Sequence, residues 1–275
     1  MVVGIAFSKL NGTGNDFVIV DNREMVVPAR QMADFTRAVC RRAVSVGADG
    51  VIFVENHPDL DFAWHYLNAD GGEAEMCGNG ARCVARFAHE RGIAGKSMRF
   101  QTIAGVIEAH ITGPRSVKVR LTEPFDYRSV AVPTTSGELS GHFLNTGVPH
   151  VVVPVEDVES FDVKNLGREI RRSPVVAPAG ANANFVQVTG PNDLRIRTYE
   201  RGVEDETLAC GTGCVAAAAT MVHAGQVAGP VTLTVQSGEK LTVTVSEEDP
   251  RTSEVWLEGP THWVYDGELT SEVLF

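Results

Sequence analysis

Two cysteines stand in nearly the same setting. Met76-Cys77-Gly78-Asn79-Gly80-Ala81-Arg82-Cys83-Val84 and Ala209-Cys210-Gly211-Thr212-Gly213-Cys214-Val215 each run from a cysteine through a glycine-containing turn into small, apolar residues. A cysteine placed just before a helix sits where unbonded backbone N–H groups and the helix dipole favour its thiolate, which makes it a usable base near neutral pH. The same N–H groups, at Gly78, Asn79, Gly211 and Thr212, suit a carboxylate, because helix N-termini bind anions. With the two motifs facing one substrate, one thiolate would remove the α-proton of an amino acid and the opposite thiol would return one, inverting the centre. Donors aimed at the carboxylate stabilise it most when the carbanion charge spreads into it. No lysine Schiff-base site or cofactor motif is evident, so the expected electron sink is the protein itself and the expected cofactor is none.

The other cysteines argue for reduced thiols. Five cysteines, an odd number in a long chain without a signal peptide, do not make a disulfide framework. No Cys-x-x-Cys occurs, and His65, His89 and His150 fall at no zinc-ligand spacing beside a cysteine, so no metal is expected. Cys40, Cys83 and Cys214 lie within helical patterns among Ala and Val and read as core. The charge balance, 24 basic against 35 acidic residues and a net −11, has no basic cluster to follow a phosphate backbone, which argues against nucleic acid and anionic membranes as partners. The expected location is the cytoplasm, since no apolar run is long enough to span a bilayer.

The elements that must hold the two motifs repeat along the chain. Cys210 follows Cys77 by 133 positions (77 to 210), and other segments fall into that register: Thr13-Gly14 with Thr146-Gly147, and Gly47-Ala48-Asp49 with Gly180-Ala181-Asn182. The stretches 61–68 and 193–200 match one residue short of it, and Phe100-Gln101-Thr102 matches Val235-Gln236-Ser237 slightly beyond it. A period this long signals a duplicated domain, not a solenoid. Short β-branched or aromatic runs predict strands at 17–21, 50–55, 62–68, 98–102, 106–111 and 116–121, and at 231–235, 241–245 and 254–259. Ala-rich helices closed by glycine are predicted at 83–92 and 214–225, with further helices at 31–42 and 163–171. The fold class is therefore α+β: two pseudo-symmetric domains from internal duplication, 1–125, completed by a strand over 262–275, and 126–261. The stretch 124–140, with Pro133-Thr134-Thr135-Ser136-Gly137, reads as the linker.

Gly14-Asn15-Asp16-Phe17, Asn68-Ala69-Asp70-Gly71, Glu75-Met76-Cys77-Gly78-Asn79-Gly80-Ala81-Arg82, Thr146-Gly147-Val148-Pro149-His150, Glu200-Arg201-Gly202 and Glu206-Thr207-Leu208-Ala209-Cys210-Gly211-Thr212-Gly213 together resemble the diaminopimelate epimerase family, in order and over nearly the whole length. The resemblance implies a cofactor-independent isomerase, a homodimer, each domain a β-barrel-like sheet around a central helix. It would interconvert L,L- and meso-diaminopimelate for lysine and peptidoglycan precursors. It implies Cys77 and Cys210 as the acid/base pair and Gly78, Asn79, Gly211 and Thr212 around the reacting carboxylate. Glu200 would meet the α-ammonium, Asn68, Asn182 and Arg201 the distal end, and Asn15 would line the site. His150 and Glu200 would tune the thiols. Val148 stands where some members have Asn, Gly50 where some have Gln, and the loop Val203-Glu204-Asp205 is one residue longer than in many. The alternatives are racemisation of proline, hydroxyproline or histidine by the same chemistry, a thiol redox sensor, or a binding module without turnover. Asn79, where proline racemase relatives carry His, favours an acyclic substrate.

Overall fold

The computed structural model describes residues 4–74, 76–246 and 249–274; Glu75 of the first motif and Phe275 of the expected C-terminal strand lie outside them. In chain order the elements are β1 (Ile5–Gly12), β2 (Asn15–Asp21), α1 (Ala29–Val39), β3 (Gly50–Glu55), β4 (Phe62–Asn68), α2 (Gly78–Glu90), β5 (Ser97–Thr102), β6 (Gly105–Ile111) and β7 (Ser116–Leu121). Then come β8 (Phe125–Thr134), β9 (Gly137–Asn145), β10 (Pro149–Pro154), α3 (Val163–Arg171), β11 (Asn182–Val188), β12 (Asp193–Glu200), β13 (Asp205–Thr207), α4 (Gly211–His223), β14 (Val231–Thr234), β15 (Lys240–Thr244), β16 (Val255–Pro260) and β17 (His262–Leu269). Two units result: residues 4–119 with 259–274, and residues 120–258 among those described.

The pairing of strands is the same in both units, so the duplication expected from the cysteine register is present in the topology. In the first, β17, β1 and β2 are antiparallel neighbours, β2 runs parallel to β3, β3 antiparallel to β4, β4 parallel to β5, and β5, β6 and β7 antiparallel again. In the second, β8, β9, β10, β11, β12, β14, β15 and β16 follow with the same alternation. Each parallel step needs a crossover. Helices α1 and α2 supply them in the first unit, and α3 and α4 in the second.

The crossovers cover the two faces of each sheet. Met32, Phe35 and Val39 of α1 bury against Val18, Val20, Val51 and Phe53, while Val163, Leu166 and Ile170 of α3 bury against Val151, Val153, Ala183 and Phe185. Strands alternate their side chains, so Phe17 and Ile52 turn to the other face and meet α2 at Gly80. With both faces covered, β2, β3, β10 and β11 read as near-continuous apolar runs, as strands buried on both sides do. Helix α4 is buried at every residue over 213–221, as expected of a helix apolar on all sides, and α2 is buried at 78–85, 87 and 88, with the polar Asn79 and the charged Arg82 among them.

Three expectations are corrected. Both central helices begin earlier than their Ala-rich runs, at Gly78 and Gly211 directly after the cysteines, because burial of the first turn overrides the turn character of the glycines. Their ends are as read: Gly92 and Gly225 take left-handed conformations. The stretch 124–140 is not a linker but most of the β8–β9 hairpin. Pro133 fits there because β8 pairs only with β9 among the described residues, and an edge strand tolerates a proline. Finally, β2 places Phe17 opposite Gly50 and β10 places His150 opposite Asn182, so Asn182 occupies the place of Gly50, not of Asp49. The one-residue slip thus enters before β11.

Candidate active site

In the first unit Cys77 is the N-cap of α2, with an extended backbone (φ −145°, ψ 113°). Its carbonyl accepts the Ala81 N–H at 2.8 Å and its sulfur the Gly80 N–H at 3.4 Å. That leaves the N–H groups of Gly78 and Asn79 as the first-turn donors that no helical carbonyl can reach. The Asn79 side chain is turned inward, its Oδ1 accepting from Thr13 Oγ1 (3.1 Å) and Arg82 Nη2 (2.8 Å), so what Asn79 can offer an anion is its backbone N–H. Arg82, fully buried, also donates to Thr13 Oγ1 and to the Gly78 carbonyl.

Asn15, at the start of β2, lies against the thiol: Cys77 Sγ donates to its Oδ1 at 3.5 Å. Its amide nitrogen donates to Asp49 Oδ2 at 2.5 Å, which fixes the oxygen toward the sulfur. Asp49 is held by Arg42 (2.8 Å), and Arg42 also binds Asp16 (2.6 Å), which pairs with the buried Lys9 (2.6 Å). Burial alone would raise the Asp16 pKa, but the hydrogen bonds from Arg42 and Lys9 outweigh it and the carboxyl stays below its usual range. Asn68 ends β4, exposed, its Oδ1 accepting from the Tyr66 hydroxyl at 2.9 Å.

In the second unit Cys210 is the N-cap of α4, and its carbonyl accepts the Cys214 N–H at 3.0 Å. The Thr212 hydroxyl lies 3.5 Å from its sulfur, and Thr146 Oγ1 donates to the Thr212 carbonyl at 3.2 Å. Here the expected thiolate is corrected. Burial, and after it the charge of Glu200, push the Cys210 pKa well above the ordinary thiol value, and the Thr212 hydroxyl and Gly213 N–H only partly oppose them. Cys210 therefore rests as a thiol. Burial also raises the pKa of Glu200 itself, with the Thr207 hydroxyl pulling the other way.

Residues 182, 200 and 201 come together where β11 begins and β12 ends. Asn182 Oδ1 accepts the Arg201 backbone N–H at 2.7 Å, which leaves its amide nitrogen for a ligand, and Arg201 Nη1 donates to the Ala179 carbonyl at 3.2 Å. His150 is fully buried on β10 beside Asn182 in the parallel register. Its Nδ1 contacts Asn184 Nδ2 at 3.1 Å. Sequence reasoning missed Asn184, Thr198, Thr13 and the chain from Asp49 to Arg42. The signal for Asn184 was a lone amide in the otherwise apolar run Ala183-Asn184-Phe185-Val186.

The family model for diaminopimelate epimerase matches residues 7–125 and 142–264, one segment over each repeat. The chain belongs to the diaminopimelate epimerase family. It is 48% identical over 278 residues to the diaminopimelate epimerase of Aquifex aeolicus (strain VF5), covering 98% of this chain and 99% of that one. It is 39% identical over 278 residues to the one from Archaeoglobus fulgidus, covering 96% of each. Among solved structures, a Bacillus anthracis phenazine biosynthesis protein of the PhzF family superposes with a TM-score of 0.75 at 16% identity, covering 97% of this chain and 99% of that one. A hydroxyproline epimerase from Agrobacterium vitis, with bound trans-4-OH-L-proline, superposes with a TM-score of 0.72 at 16% identity, covering 98% of this chain and 94% of that one. Such low identities show the epimerase-type fold alone. The matches to the family are isomerases by name.

Proposed function

We propose that this chain interconverts L,L- and meso-diaminopimelate by a two-base mechanism with Cys77 and Cys210 as the acid/base pair. The observation that carries this is the repeated helix start: in a family of diaminopimelate epimerases, both repeats cap a buried helix with a cysteine followed by first-turn N–H donors. Gly78, Asn79, Gly211 and Thr212 bind the reacting carboxylate, and their dipoles stabilise the charge it gains when the α-proton leaves. Glu200 receives the α-ammonium. Arg201, Asn182 and Asn68 hold the distal carboxylate and ammonium, and Asn15 orients the Cys77 sulfur.

The resting thiol of Cys210 fits this cycle. Part of its raised pKa comes from the Glu200 charge. An ammonium group bound at Glu200 cancels that charge and eases proton release from Cys210 only when substrate is present. The reaction needs no organic cofactor, because carbanion charge is met by fixed N–H donors. The reading carries with it a cytoplasmic homodimer whose partner is the small-molecule substrate, with neither nucleic acid nor membrane engaged; among the described residues no helix is long and apolar enough to cross a membrane.

The test is α-proton exchange in deuterated water with reduced enzyme, over diaminopimelate, proline, hydroxyproline and histidine. Deuterium should enter diaminopimelate at the epimerised carbon and not the others. No exchange into diaminopimelate would sink the proposal.

A further inference from the structure

The third residue of each central helix is a glycine that meets the sheet, but the sheet differs between the repeats. A Cβ on Gly80 would lie 3.3 Å from Ile52 Cδ1 and 3.5 Å from Phe17 Cε1, whereas one on Gly213 would lie 2.3 Å from Asn184 Oδ1. The strand registers make these places equivalent. Ile52 pairs with Tyr66 and Asn184 with Thr198, and Phe17 and His150 stand at the same step of β2 and β10. The second repeat has therefore replaced a Phe and an Ile with a fully buried His150 and a fully buried Asn184.

Every polar atom of the Asn184 amide is accounted for. Its nitrogen donates to the Val151 carbonyl (3.2 Å) and to His150 Nδ1 (3.1 Å), and its oxygen accepts from Thr198 Oγ1 (3.0 Å). Turning the amide over would set its oxygen against the Val151 carbonyl oxygen, which can only accept. The amide is thus locked, and both its hydrogens are spent. His150 Nδ1 must then offer a lone pair, and the ring proton sits on Nε2. That Nε2 is buried with no hydrogen-bond partner among the described residues, in an interior where such groups are nearly always paired.

We propose that Asn184 is a positioning residue that fixes His150 as the Nε2–H tautomer, so that His150 donates a hydrogen bond to an anionic group arriving with the substrate and cannot itself take a proton. The use of His150 in the reaction rests on the epimerase reading above; its tautomer does not. Burial first, and then the Arg201 charge, hold the His150 pKa down at about 3, so the ring stays neutral at working pH. A neutral donor aimed at an anion makes a charge-assisted bond without the cost of burying an imidazolium.

The test uses the full chain labelled with 15N-histidine and long-range proton–nitrogen correlation spectra of the resting enzyme. His150 should show its proton on Nε2 and no titration across about pH 5–8, where exposed histidines titrate. Asn184→Asp, whose carboxylate can only accept, should move the proton to Nδ1 and lower kcat by about 10- to 100-fold, the effect of losing one hydrogen bond to a buried group. A wild-type proton on Nδ1, an unchanged tautomer in Asn184→Asp, or a switched tautomer with undiminished kcat each overturns the proposal. If Asn184→Asp does not fold, the wild-type spectrum decides the tautomer alone. Absence of any diaminopimelate exchange in the wild type would defeat the epimerase reading and leave the tautomer result standing.

Discussion

A buried thiol beside a carboxylate is a weak acid, and that fact sets the proton affinity of Cys210 at the level of residues. Both cysteines were legible as lying just ahead of the central helices, because each precedes a glycine-containing turn and a small-residue run, although the Ala-rich runs place the helix starts several residues later. The proton affinity of Cys210 was not legible: it depends on burial and on Glu200, ten residues away in the chain, at the end of β12. Cys77→Ala and Cys210→Ala should each abolish epimerisation, since inversion needs a base and an acid; near-normal turnover in either would refute the pairing. Glu200→Gln should act twice. Removing its charge lowers the Cys210 pKa, so alkylation of Cys210 at a fixed pH should become faster than in the wild type. Losing the ammonium contact should lower kcat/KM by about 10- to 100-fold, as for a hydrogen bond to a charged group. Slower or unchanged alkylation would show that Glu200 does not act on the sulfur through its charge.

At the scale of elements, the outer helices and most strands were readable from periodicity, since α1 and α3 each show one apolar face and the strands are bounded by turn residues. The helix starts and the β8–β9 hairpin were hidden, because their glycines and Pro133 act locally like breakers and only packing makes them structural. The same contrast yields a prediction about the two helix-start glycines. Gly80→Ala meets the tip of Ile52, which can shift, and an alanine favours the helix by about 1 kcal/mol over glycine, so the net change in stability should stay within about 1 kcal/mol. Gly213→Ala meets the locked Asn184 oxygen and the Cys210 Cβ at 3.3 Å, and should cost roughly 2–3 kcal/mol. Denaturant midpoints of the two variants measure this directly. Equal losses would mean that Asn184 is not held as tightly as its three hydrogen bonds imply.

For the molecule as a whole, the duplication was legible because the cysteine motifs and Thr-Gly turns keep their spacing, but its closing strand was only partly so. The first repeat takes its outermost strand, β17, from the far end of the chain, whereas the second takes β8 from just before β9, and no constant offset can register a permuted piece. Also invisible was the repeat that carries the acid-sensitive group. In the fold His150 binds its proton only near pH 3, against about 6.5 in an unfolded chain. Its contribution to stability is therefore complete above about pH 6.5 and is lost as pH falls, because the unfolded chain takes up a proton that the native state refuses. By pH 5 the loss from this one group should reach about 2 kcal/mol. The double variant His150→Phe with Asn184→Ile copies the Phe17 and Ile52 pair of the other repeat and removes the group. Glu200, whose raised pKa acts with the opposite sign, is common to both proteins and cancels in the comparison. Between pH 7 and pH 5 the wild type should therefore lose about 2 kcal/mol more than the double variant in denaturant titrations. If both lose the same amount, His150 is not held neutral by the fold.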